Sequence, residues 1–250
     1  MNVIRLMQTE MIKQKRNLLW LFILVIPTGT TAAMFLDMFI RYEDYLFPKA
    51  QEQGISSWEV LVNENHNVLS WGLFLSVFIA IISMFINQYE TKIDNWKKLL
   101  SLPVTRSQVF LSKYLTIVIF GFALILLNTA GLFIVGKIIG FPEVFPITMF
   151  TKYVGYQFAA ILGVAAIQNG LSTFVKNPIM PVVFAFVGMV VAGVFLVKDT
   201  GLSSYYPYLY TYMAGNLPDF DPAIVLYGGL GSGVILLIFG MLLFQKKDII

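Results

Sequence analysis

Cysteine is absent from the 250 residues, which excludes disulfides and thiolate metal sites. Histidine occurs once, as His66, beside Glu64 in a polar stretch. With no second histidine to complete a metal ligand set, it reads as a solvated side chain. Charge is scarce: 12% of the residues are Asp, Glu, Lys or Arg, against roughly 25% in a soluble domain. Too few charges remain to cover a water-facing surface. The apolar stretches contain no Ser/His/Asp set and no paired carboxylates, which excludes an intramembrane hydrolase. Nothing in the charge pattern points to nucleic acid.

What is present is apolar. Hydrophobic residues make up 58% of the chain, and mean hydropathy is +0.76. A membrane span needs about 20 mostly apolar residues. Six stretches qualify, at 18–40, 68–89, 115–135, 154–174, 179–197 and 223–244. The runs are continuous rather than alternating, so they predict helices and not barrel strands. The expected fold is an all-α integral membrane protein forming a single transmembrane domain over 1–250. The first stretch follows basic residues, as a signal peptide would. Its apolar region is too long for one, and it reads as a retained anchor.

Lys and Arg are unevenly shared between the two sides. One side collects twelve: Arg5, Lys13, Lys15, Arg16, Lys92, Lys97, Lys98, Arg106, Lys113, Lys176, Lys246 and Lys247. The other has five: Arg41, Lys49, Lys137, Lys152 and Lys198. The positive-inside rule makes the richer side cytoplasmic and places both termini there, in a multi-pass protein of the cell membrane. Residues 3–17 form an amphipathic segment, with Ile4, Met7 and Met11 at helical spacing among basic residues. Such a segment lies on the inner leaflet, attracted to anionic lipid.

The outer side carries an acidic, polar loop at 41–67 and a tyrosine run that includes Tyr205, Tyr206, Tyr208 and Tyr210. Tyrosines favour the membrane interface. The run reads as an interfacial belt, or alternatively as a lid over a translocation path. Within the spans the polar residues are uncharged: Asn128, Gln157, Gln168 and Asn169. Asn128, Gln157 and Gln168 are candidates for a translocation path, although interhelical hydrogen bonding is the commoner role of such groups. Asp37, the only candidate carboxylate for ion coupling, lies at the outer edge of its span. Coupled ion transport is therefore disfavoured. Gly229 and Gly233 give a small-residue face for close helix packing, within the chain or between chains. The run from Gly131 to Lys137 resembles the start of a P-loop, but Ile138 stands where Ser or Thr must hold magnesium. The chain has no nucleotide-hydrolysing site of its own.

Residues 90–114, between the second and third spans, are the most informative stretch. Ile93, Trp96, Leu99 and Leu100 fall on one face of a helix. Pro103 stops that helix. Thr105 and Gln108 then form a capping-box pattern that starts the next one. A tryptophan and two leucines on a helix outside the membrane must be buried against something. The candidates are the headgroup layer, neighbouring helices, or a docked partner.

Gln88, Tyr89 and Glu90 at the end of the second span lead into Trp96, Leu99, Leu100, Leu102, Pro103, Val104, Arg106 and Lys113. This series resembles the cytoplasmic loop of type-2 ABC exporter permeases, most nearly the small Gram-positive kind that handle lantibiotics or phenol-soluble modulins. The resemblance implies two permease subunits, as a homo- or heterodimer, paired with two ATP-binding subunits that hold ATP and magnesium. This chain would bind no cofactor itself. Residues 93–102 would be the coupling helix, with Ile93, Trp96, Leu99 and Leu100 as apolar anchors, Pro103 as its stop, and Lys97 and Arg106 on its rim. Glu90 and Lys113 would brace the loop against the N-terminal segment. The cargo would be an amphipathic or antimicrobial peptide. The other classes left open are a membrane scaffold or sensor that docks a signalling protein, and a secondary transporter.

Overall fold

A computed structural model describes residues 2–92, 96, 103–198, 201–215 and 221–247. The described residues are helical almost throughout, with no strand among them. Helix α1 (Val3–Lys13) precedes α2 (Leu19–Arg41), and two short helices follow, α3 (Phe47–Gln53) and α4 (Ser57–Asn63). Then come α5 (Trp71–Lys92), α6 (Arg106–Ile139), α7 (Ile147–Phe174), α8 (Met180–Val197), the short α9 (Pro207–Met213) and α10 (Pro222–Lys246). Six of these, α2, α5, α6, α7, α8 and α10, are long and apolar enough to cross a membrane. The chain is a six-span, multi-pass membrane protein.

The helices start and stop where the local chemistry directs. Thr105 caps α6: its hydroxyl accepts from the Gln108 N–H while the Gln108 side chain accepts from the Thr105 N–H. At the other end of α6, Gly140 takes φ +84° and closes the helix in a left-handed turn. At 34 residues, α6 runs to roughly 51 Å at 1.5 Å per residue. That exceeds the ~30 Å of hydrocarbon, so α6 projects beyond the apolar layer and begins well before its predicted span at 115.

One prediction fails at the far end from the termini. Residues 41–67 are not a loop. They continue α2 through a π turn (Tyr42–Leu46) into α3, then form α4 and a second π turn (Glu64–Val68). Their polar groups pair among themselves and with the bundle. Arg41 holds Asp37 (2.7 Å) and Glu64 (3.0 Å), and Ser57 donates to Glu143 through its backbone N–H (3.0 Å) and hydroxyl (2.9 Å). Trp58 is fully buried among Phe133, Phe141, Phe145 and Phe150. This aromatic cap, with Met34, Met38, Leu61 and Tyr153, forms a core of its own.

The central core joins α2, α5, α6, α7, α8, α9 and α10. Helices α7 and α10 approach closely in it. A Cβ on Gly229 would collide with the Ala159 carbonyl, and one on Gly233 would press on Leu162. The small-residue face is thus used within the chain. A third core, at the end that carries the termini, consists of Leu6, Trp96, Val109, Phe110 and Phe244.

Candidate functional site

At the termini-bearing end, four charged side chains from three helices meet in a closed ring. Glu10 and Lys13 sit one turn apart on α1, Glu90 lies at the foot of α5, and Lys113 lies two turns into α6. Lys13 Nζ donates to Glu10 Oε1 (2.7 Å) and Glu90 Oε1 (2.6 Å). Lys113 Nζ donates to Glu10 Oε2 (3.0 Å) and Glu90 Oε2 (2.7 Å). Each carboxylate therefore bridges both ammonium groups, and the ring is neutral. Lys113 places its third proton on the Ile86 carbonyl (3.2 Å). Glu10, Glu90 and Lys113 are all buried. Burial opposes the charge on Lys13, but the Glu10 and Glu90 carboxylates outweigh it and hold that ammonium above its ordinary pKa.

The ring fixes the two ends of the segment that carries the Trp/Leu stripe. Glu90 precedes the segment and Lys113 follows it, and α1 clasps both. Of the stripe and its rim, Ile93, Lys97, Leu99 and Leu100 lie outside the described residues. Trp96 is buried within its own chain. Its ring meets Phe244 edge-on at 5.5 Å, and Lys113 Nζ lies 5.7 Å from its centre. Pro103 forms an exposed bend. Arg106 does not stand clear as a rim charge: its guanidinium donates to the carbonyls of Gln245 (2.8 Å) and Lys247 (2.6 Å). It thus caps the carboxyl end of α10, where a cation is favoured.

Sequence reasoning named Glu90 and Lys113, counted Lys13 only as a charge and did not single out Glu10. The signal was available in part. Leu6, Glu10 and Lys13 share one helical face, opposite Ile4 and Ile12. An acid on the buried face of a short amphipathic helix requires a cationic partner, but the sequence does not say which one.

The polar residues of the spans are buried and bonded within the chain. Asn128 donates to Thr30 (3.0 Å) and accepts from Asn65 (3.3 Å). Gln157 accepts from the Trp71 indole (2.7 Å), and Gln168 donates to the Tyr208 hydroxyl (2.7 Å). Asn169 donates to the Phe110 carbonyl (3.1 Å). The tyrosine run divides. Tyr205 is exposed, whereas Tyr208 and Tyr210 are buried. Tyr206 donates to the Gly188 carbonyl (3.1 Å), and Tyr210 to that of Ser204 (2.9 Å). Burial raises the phenol pKa of Tyr206, Tyr208 and Tyr210. Short helix α9 is thereby seated on α7 and α8.

His66 contradicts its sequence reading. It is fully buried, with Nε2–H donating to the Tyr212 carbonyl (2.6 Å) and Nδ1 facing the Tyr153 hydroxyl (3.3 Å). Gly72 and Gly215 make room for the imidazole, since a Cβ on either would strike it. Burial lowers its pKa to about 4, outweighing the backbone bonds to Tyr212 and Thr211 that raise it.

A family model described as ABC-2 family transporter protein matches residues 6–192. No curated protein and no solved structure matches the chain.

Proposed function

Because the chain belongs to the ABC-2 transporter family, and is thus a permease component of an ABC transporter, we propose that residues 93–102 couple it to an ATP-binding subunit. The observation that carries this reading is the ring of Glu10, Lys13, Glu90 and Lys113. It fastens both ends of that segment to α1, so displacement of the segment is passed to α5 and α6 together. Trp96 roots the segment from inside the chain, leaving Ile93, Leu99 and Leu100 as the anchors offered to the partner and Lys97 as a rim charge. Both termini lie in the cytoplasm, as the Lys/Arg asymmetry supports. Two permease chains work with two ATP-binding subunits, which hold the ATP and magnesium.

The cargo in this reading is an amphipathic peptide, exported across or out of a Gram-positive cell membrane. The apolar faces of α2, α8 and α10 suit such a molecule better than an ion or a sugar. The polar span residues contribute helix packing, and the seated tyrosines of α9 close the outer end.

The test is the reconstituted complex. Leu99→Ala with Leu100→Ala is expected to weaken association with the ATP-binding subunit and to cut peptide-stimulated ATP turnover at least tenfold, the effect of losing about 1.4 kcal/mol. Unchanged association and turnover would remove the coupling assignment.

A further inference from the structure

The elbow between α1 and α2 holds a cleft of about 350 Å³ against the foot of α5, and the coupling reading does not use it. Lys13, Arg16, Asn17 and Leu18 line one wall, with Gln88 and Tyr89 on the other. The cleft is rich in donors. Arg16 is exposed and has no acceptor among the described residues. Lys13 uses two of its three protons on Glu10 and Glu90, which leaves one. The two carboxylates that would repel an anion are each already held by two ammonium groups. Asn17 donates one amide proton to Gln14 (2.6 Å) and keeps another. Tyr89 is half exposed, with Lys13 Nζ 5.8 Å from its ring centre.

The depth of the cleft identifies its ligand class. Leu18 is 65% exposed and begins an apolar face that Leu21, Leu24 and Val25 continue along α2. The cations therefore stand where the chain enters hydrocarbon, at the level of lipid phosphates. A free phosphate satisfies only the polar half of this site, whereas a phosphate carrying acyl chains satisfies both.

We propose that this cleft binds the phosphodiester headgroup of an anionic phospholipid, with Arg16 as its forked contact and an acyl chain on Leu18 and Leu21. The guanidinium matches two phosphate oxygens in plane. Occupancy would hold the elbow, and with it the ring, at a fixed height in the membrane. The proposal requires membrane embedding but not transport, so its test reads lipid alone.

The test is native mass spectrometry of the detergent-extracted chain titrated with phosphatidylglycerol or phosphatidylcholine. The expected result is one tightly held phosphatidylglycerol, no comparable phosphatidylcholine, and a loss of roughly tenfold or more in affinity on Arg16→Gln. Arg16→Lys, which keeps the charge without the fork, falls between. Lys15→Gln removes a neighbouring charge outside the cleft and is expected to change affinity less than twofold. Equal losses for Lys15→Gln and Arg16→Gln would reduce the effect to diffuse surface charge and overturn the site. Unaltered binding by Arg16→Gln, equal retention of both lipids, or displacement by excess inorganic phosphate would each overturn it as well.

Discussion

The two ends of this bundle are closed by different chemistry. At the end with the termini, four full charges lock α1, α5 and α6 together, and Arg106 and Lys247 cap helix ends, Arg106 on α10 and Lys247 on the Thr173 carbonyl of α7 (2.8 Å). At the opposite end the fully buried groups are neutral, the Trp58 aromatic cap and a hydrogen-bonded series from Tyr212 through His66, Tyr153 and Asn65 to Asn128, while the ion pairs of Arg41 with Asp37 and Glu64 stand partly exposed. Buried ion pairs are all-or-nothing, because a lone charge left in a dry site is very costly. Neutral networks lose strength one bond at a time. The charged end is thus built to stay intact under load, and the neutral end to loosen by steps.

Three measurements sharpen or break this contrast. Lys113→Met preserves bulk but leaves Glu10 and Glu90 to share Lys13. Thermal or denaturant unfolding in detergent should show a loss of ~3–5 kcal/mol. Adding Glu10→Gln should recover part of it, as a double-mutant cycle would record. Second comes acid. The unfolded chain protonates His66 near pH 6.5, the folded chain only near 4. Between those values the unfolded state binds more protons, so stability falls as pH drops and the loss is complete below 4. The wild type should lose about 3 kcal/mol more than His66→Gln over that window. Smallest is Tyr153→Phe, which takes the hydroxyl from the buried Asn65 amide and His66 Nδ1 and should cost ~1–2 kcal/mol. If Tyr153→Phe proves as damaging as Lys113→Met, the distinction between the two ends fails.

The membrane-spanning helices were legible because an apolar run of span length has few alternatives. Thr105 and Gln108 announced the start of α6 because both halves of a capping box lie within four residues. What stayed hidden depended on distance along the chain. Residues 41–67 look like a water-facing loop, because Arg41 reaches Asp37 and Glu64, and Ser57 reaches Glu143, only after folding. Trp58, Leu61, Val62 and Asn65 do follow helical spacing, and their weight was masked by the acids around them. A single histidine carries no local sign of burial. The site was legible in half. Glu90 and Lys113 stood out through a resemblance, whereas Glu10 acquires its role from a lysine 103 positions away.

The contact of Gly229 with Ala159 has a mechanical corollary. Backbone meets backbone there, so α7 and α10 cannot slide past each other by even one 1.5 Å step without forcing a larger side chain into the gap. They move as one plate. Any opening of the bundle must therefore part it at some seam other than this one.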